Sequence, residues 1–384
     1  VKKGYFYLFG FTWLLVIAIL AVVSCKSGDQ EVTANYVYQV PVDRGDGWPI
    51  SSLSAEDIKE SLIVNMIDKV LDETFKRVHG VLIVRNGNLI LEEYFPGHNF
   101  EGTYVNFDWK TLHYQASCTK SFTSALIGIA LDQGLLLDVN EKLSDFFPEF
   151  DTQNWQDVKK RITLKNVLTM TAGLQWDEWS FPYSDSRNSH VQMNNSGHPI
   201  EFVLQLPVVH EPGTTFVYNS GLSIILGGII KNRTTQYADQ FAEEYLFNFL
   251  GIEGYRWWKY PDGTVQTGGG LYLRPRDMAK FGQLYLQGGK WGDTRVISQR
   301  WISESVEKHV TSSSQGGYGY QWWLENFRIN NVSIDSYSAH GWGGQYIYVF
   351  PGFEMVVVFT GGNYYTHSSP ASRMLYNFIL PAVN

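Results

Sequence analysis

Between Thr111 and Leu131 the chain carries one formal charge, Lys120, three residues after Ser117 in the stretch "HYQASCTKSFTSALIGIALDQG". Residues three apart on a helix share a face, so this hydroxyl and this amine can meet. Burying an ammonium away from carboxylates disfavours its charged form. A neutral amine beside a hydroxyl is a base that can generate a nucleophile. A serine at a helix start also brings an unpaired backbone N–H, useful to a developing oxyanion. The same spacing suits a capping serine and a lysine whose stem reaches water. A second Ser-x-x-Lys, Ser305 to Lys308 in "WISESVEKHV", sits among charges, and that contrast singles out the first.

Two further stretches offer partners. "HEPGTTFVYNSG" has a Pro-Gly turn, then Tyr218-Asn219-Ser220, then an apolar run. "SAHGWGGQYIYVFP" has His340, followed by Trp342, Gly343 and Gly344 ahead of a β-type run. His340 reads equally as a hydrogen-bonding structural histidine. Trp176, Trp179, Phe181 and Tyr183 suit either an apolar acyl pocket or the anchoring of a loop. Trp322 and Trp323 are adjacent on an expected strand, so only one of them can face a cleft. Cys118 has no obvious His partner and reads as packing.

The elements that must position these residues come next. The 384 residues include 15% aromatics, a net charge of −8 and two cysteines, Cys25 and Cys118. That balance gives no electrostatic reason to bind nucleic acid, and two cysteines make neither a disulfide framework nor a metal-type spacing. Lys2 and Lys3 precede an uncharged stretch ending "AVVSC", the parts of an export signal. The ending resembles a lipobox, which implies lipid on Cys25 and a membrane-held protein facing the periplasm or cell exterior. An uncleaved anchor long enough to span a bilayer is the alternative. Residues 1–25 are thus expected as signal and 26–52 as a polar tether.

From about 53 onward one domain is expected. "GVLIVRNGNLILEEYF" places two β-type runs around Asn86-Gly87, a hairpin signal, after a helical stretch near Asp57 to Lys76. Helical patterns and Pro/Gly loops fill about 117–297, and "YGYQWWLE", "QYIYVFPG" and "EMVVVFTGGN" are β-rich again, before a helix over 371–379. Strands at both ends around a helical middle predict an α/β (α+β) fold. Its antiparallel sheet, flanked by helices, is built from both termini (about 53–116 and 298–384), with an inserted all-helical domain (about 117–297). There is no Gly-x-Ser-x-Gly elbow, no His-Glu-x-x-His and no phosphate-binding glycine loop.

In order, Ser117-x-x-Lys120, Tyr218-Asn219-Ser220 and His340-Gly341 resemble the serine β-lactamase and penicillin-binding protein superfamily. The likeness is to its class C β-lactamase, D-aminopeptidase and family VIII esterase branch. "GVLIVRNGNLI", "ITLKNVLTMTAGL", "GGGLYLRPRDMAKFGQLYL" and "YGYQWW" extend it from about Asp57 to the C-terminus. The resemblance implies a cofactor-free serine hydrolase cleaving an ester, amide or peptide through an acyl-enzyme. It makes Ser117 the nucleophile, Lys120 its base and Tyr218 the proton relay. The Ser117 amide and one amide of Trp342 to Gly344 would form the oxyanion hole. Ser220 stands where the branch often has Asn, which makes it a shorter substrate-binding arm toward the acyl amide, and His340 stands where the branch often has the Lys of Lys-Thr-Gly. Both departures point away from a carboxylate-bearing β-lactam. A D,D-carboxypeptidase or β-lactamase acting on peptidoglycan-like substrates, and a non-catalytic peptidoglycan-binding lipoprotein, are the competing readings.

Overall fold

A computed structural model describes residues 36–150, 155–312, 316–366 and 369–383. They belong to one compact unit, 34–384. The stretch expected to be an export signal, with Cys25, lies outside the described residues.

Hydrophobic runs without alternation demand cover on both faces of a sheet, and that is how the largest sheet is built. Its strands run, in spatial order, Val310–Thr311, Gly317–Tyr318, Trp323–Ile329, Val332–Gly341, Gln345–Phe350, Met355–Gly361, Val78–Arg85 and Asn88–Tyr94, each antiparallel to the next. The N-terminal hairpin therefore closes on the last strand, with Val81 opposite Phe359 and Ile83 opposite Val357. Asn86 (φ 51°) and Gly87 (φ 82°) make its turn, the left-handed pair that a two-residue hairpin needs. Both ends of the chain build the sheet.

Alternate side chains of these strands feed two cores. Val81, Ile83, Val357 and Phe359 pack with the helix Glu60–Leu71 and with the helical C-terminus from Ala371 to Ala382. Leu82, Val84, Val356 and Val358 face the other core, which holds the helices Thr119–Asp132, Ser220–Thr234 and Pro275–Leu286. Pro275–Leu286 packs directly on the sheet, where a Cβ on Gly282 would lie 2.6 Å from Val356.

The inserted middle is mostly helical but departs from the all-helical expectation twice, and the smaller departure is the hairpin Lys290–Trp291 with Thr294–Arg295. A small sheet joins His113–Tyr114, Leu271–Leu273 and Arg256–Trp257. Two or three residues give too little alternation to be seen in sequence. "YGYQWWLE" also differs, being broken between Gly317–Tyr318 and Trp323–Ile329. Gln321 takes φ 63° there. Its side chain accepts from Ser223 Oγ (2.6 Å) and donates to Leu168 O (2.8 Å), while its carbonyl accepts from Ser121 Oγ (2.8 Å). These tertiary bonds hold the break.

The described part of the expected tether, 36–52, is not free chain. Trp48 is buried and donates to Gly87 O (3.0 Å), Tyr38 donates to Ile90 O, and Arg276 bonds both Asp46 and Val42 O. Aromatic anchors among polar residues carry the packing that composition alone hides. Among the described residues no helix is long and apolar enough to cross a membrane.

Candidate active site

The strand His113–Tyr114 leads straight into the turn that presents Ser117. Gln115 N donates to Leu271 O (2.9 Å), pinning the strand end. Ala116 then takes φ 45°, a conformation that strains a residue with a Cβ, and opens the 3-10 turn Ala116–Cys118. Thr119 Oγ1 donates to Ala116 O (2.6 Å), and the buried Cys118 thiol donates to Gln345 O (3.4 Å). Burial pushes that thiol up, keeping it protonated. Cys118 ties the turn to the strand Gln345–Phe350.

Lys120 lies in the first turn of Thr119–Asp132, a helix whose residues are buried from Thr119 to Ala130. Lys120 is 2% exposed, and its ammonium donates to Ser117 Oγ (2.8 Å) and to Gly268 O (2.5 Å). Burial draws its pKa down to about 8, with the Glu178 charge opposing the fall. Roughly one lysine in ten is then neutral at pH 7. The second Ser-x-x-Lys has none of this: Ser305 Oγ is spent on Ile302 O, and Lys308 is exposed.

The Lys120 nitrogen lies 5.0 Å from the Tyr218 ring centroid. Burial raises the phenol well above its ordinary range, the charges of Tyr318 and Glu178 add to this, and an interaction with the Ser117 hydroxyl works against it. Tyr218 therefore rests as a neutral phenol. Trp179 and Trp323 stack on its ring at 5.2 and 5.7 Å. Trp322 is fully buried and Trp323 is the cleft-facing one of the pair.

Ser220 is placed differently from a free substrate-binding arm. Its hydroxyl donates to Glu178 Oε1 (2.6 Å) and its backbone N–H to Glu178 Oε2 (2.9 Å). Glu178 also accepts from Trp176 Nε1 and Tyr183 OH, both at 2.9 Å. Burial alone would raise this carboxyl. His190 when protonated, Lys120 and the two Ser220 bonds outweigh that and hold it below its ordinary value. Sequence reasoning passed over Glu178 because "WDEW" reads as surface loop. Gly268 O was equally invisible, since a carbonyl has no signature in sequence.

His340 lies on the strand Val332–Gly341. Its Nε2 is 2.8 Å from Ser338 Oγ and 3.1 Å from Glu325 Oε2, and Ser338 Oγ donates to the same carboxylate oxygen (2.8 Å). The Glu325 carboxyl would be raised by burial, but His340 and Ser338 take it below its ordinary value. The glycines that follow make the turn: Gly343 and Gly344 take φ 90° and 99°, which a Cβ would oppose. Gly344 N donates to Gly341 O (3.3 Å). Trp342 packs against Tyr183, Phe100 and Tyr364. Behind this wall a cavity of 390 Å³ is bounded by Phe100, Tyr114, Tyr272 and Tyr364, with Glu101 and Arg256. The structure thus gathers Ser117, Lys120 and Tyr218, joins His340 to Tyr218 through Trp323, and turns Ser220 toward Glu178. Among the described residues no group of three or more His, Cys, Asp or Glu could hold a metal.

The family model for Beta-lactamase matches residues 67–373, which include every one of these side chains. The chain belongs to the Beta-lactamase family. Within it the chain is a serine hydrolase, and its mixed fold with a large antiparallel sheet flanked by helices is the β-lactamase-like one. It is 25% identical over 302 residues to a 6-aminohexanoate-dimer hydrolase of Paenarthrobacter ureafaciens, covering 72% of this chain and 70% of that protein. Among solved structures, a family VIII carboxylesterase superposes with a TM-score of 0.65 at 16% identity, covering 84% of this chain and 97% of that one. A class C β-lactamase superposes with a TM-score of 0.63 at 16% identity, covering 85% and 98%.

Proposed function

We propose that this β-lactamase-family hydrolase cleaves an uncharged ester or amide through an acyl-enzyme on Ser117. The observation that carries the reading is the 2.8 Å contact between Ser117 Oγ and a buried lysine whose pKa has fallen to about 8. In the neutral form Lys120 takes the Ser117 proton as Oγ attacks the carbonyl carbon. The oxyanion is received by Ser117 N–H and by the amide of Trp342 or Gly343, because Gly344 N–H is already spent. Tyr218, a phenol at rest, gives its proton to the leaving group and recovers one through Lys120. Water then attacks the acyl carbon by the same route in reverse.

The preference for an uncharged substrate rests on Glu325. Where the resemblance expects a lysine, this chain has an imidazole hydrogen-bonded to a carboxylate, which repels a substrate carboxylate instead of attracting it. The Trp342, Tyr183 and Tyr364 rings suit an apolar acyl or leaving group. A D,D-carboxypeptidase or β-lactamase needs the attraction that Glu325 opposes.

The test is direct. A fluorophosphonate should label Ser117, mapped by peptide mass spectrometry, and Ser117→Ala should lose several orders of magnitude in turnover. p-Nitrophenyl butyrate should be hydrolysed with a higher kcat/KM than nitrocefin. Labelling elsewhere with Ser117 clean sinks the nucleophile assignment, and faster nitrocefin turnover moves the β-lactamase reading ahead. We also propose, on the "AVVSC" motif alone, that Cys25 carries lipid and holds the protein on a membrane facing outward. A fatty-acid probe that marks wild type but not Cys25→Ser tests it.

A further inference from the structure

We propose that Glu178 is a positioning residue for the Ser117–Lys120 pair, a built-in counter-ion that fixes the Tyr218 segment and sets how readily Lys120 gives up its proton. This rests on the assignment of Ser117 and Lys120 as nucleophile and base. Four donors from three residues converge on the carboxylate: Trp176 Nε1 and Tyr183 OH from its own loop, and Ser220 N and Oγ from the start of the helix Ser220–Thr234. A buried carboxylate with both oxygens doubly satisfied holds its charge and its place. The residue it grips, Ser220, is two positions from Tyr218, so the same carboxylate anchors the loop bearing Trp179 and the segment bearing the phenol. Tyr183 continues the link to Trp342 at 5.3 Å.

The electrostatic consequence follows from what faces Lys120. Ser117 and Cys118 come from its own turn, and burial keeps the Cys118 thiol neutral. Tyr218, like Tyr183, is held as a neutral phenol mainly by burial. From the helix Ser189–Asn195, His190 is pushed down chiefly by burial and is neutral at neutral pH. Gly268 contributes a carbonyl dipole. Glu178 is the one anion in this set: its neighbour Trp179 stacks on the Tyr218 ring at 5.2 Å, Lys120 Nζ lies 5.0 Å from the same ring, and the carboxylate's charge opposes the fall that burial imposes on Lys120. Without it the lysine would lose its proton at lower pH. It would then be a weaker base when Ser117 has to be deprotonated.

The experiment is the pH dependence of kcat/KM for p-nitrophenyl butyrate, and of fluorophosphonate inactivation, in wild type and Glu178→Gln. Gln keeps the shape and removes the charge, so the acid limb should move to lower pH by about one unit or more. A limb that stays in place, even with a lower plateau or a lower Tm, means Glu178 only braces the loop, and the proposal fails. Should Glu178→Gln not fold, Glu178→Asp supplies the answer. It withdraws the charge by one methylene, so the limb should fall by a fraction of a unit, while a mere spacer would leave it fixed. Ser117→Ala separates the two levels: if that variant remains active, the underlying assignment fails, whatever Glu178 does.

Discussion

A lysine with no carboxylate among its hydrogen-bond partners is a stability cost, which the proposed role of Lys120 as base would account for. The folded-state pKa of Lys120, about 8, lies below the ordinary 10.5. The unfolded chain therefore binds more protons between those values, and stability rises with pH across that window. Below pH 8 the full cost is present, on the order of 3 kcal/mol. Lys120→Met keeps the stem and removes the charge. It should raise stability at pH 7 by about 1–3 kcal/mol, after the loss of the Gly268 and Ser117 bonds, while abolishing turnover. Urea unfolding and an ester assay on the same sample check both halves. Destabilisation by the methionine would mean that the ammonium is a structural tie.

Elements deliver these residues through close backbone approaches. The end of the strand Val332–Gly341 lies so near the Ser117 turn that a Cβ on Gly341 would sit 2.3 Å from Gln115 O, a backbone atom. Gln115 cannot yield easily, because its N–H is bonded to Leu271 O. Gly341→Ala should therefore push the Ala116–Cys118 turn away from the strand. We expect a loss of about 1–3 kcal/mol in stability and at least tenfold in kcat/KM through misplacement of Ser117. Gly352→Ala, where a Cβ meets nothing within 4 Å, is the control that should leave both unchanged. An active Gly341→Ala would show that the turn tolerates displacement.

At the scale of the molecule, buried titratable groups make stability depend on pH in opposing directions. His79, on the strand Val78–Arg85, and His113, on His113–Tyr114, share a hydrogen bond of 2.9 Å between Nδ1 and Nε2. Burial pushes them down to about 3 and about 4. The unfolded chain takes up protons from pH 6.5 downward, so their contribution is lost as the solution is acidified below that value. Asp277 runs the other way: burial raises it to about 6, so protonation of the folded state relieves it as pH falls. From pH 7 to pH 5 the two histidines cost about 4 kcal/mol and Asp277 returns about 1, a net loss of roughly 2–3 kcal/mol. Urea midpoints at the two pH values measure it. Unchanged stability would place a proton on the histidine pair already at pH 7.

The hairpin at Asn86-Gly87, the apolar Ser117 helix and the β-runs at both ends were legible because each is written locally, in turn residues or in uninterrupted apolar stretches. The Ser-x-x-Lys pair was legible for the same reason, since an i, i+3 spacing lets the two side chains meet, although the 2.8 Å contact itself is made from a 3-10 turn that runs into the helix. The order of motifs along the chain located Tyr218 and His340 but said nothing of what they touch. Only the tertiary structure decided that Ser220 binds a carboxylate, that the Glu178 charge acts on Lys120, that His340 is paired with Glu325 and that Gly268 O holds the ammonium. Each of those contacts joins residues 15 to 148 positions apart in sequence. No local periodicity encodes them. They exist because the sheet and helices close around one cleft, and burial there makes a carboxylate or a carbonyl decide the charge of its neighbour.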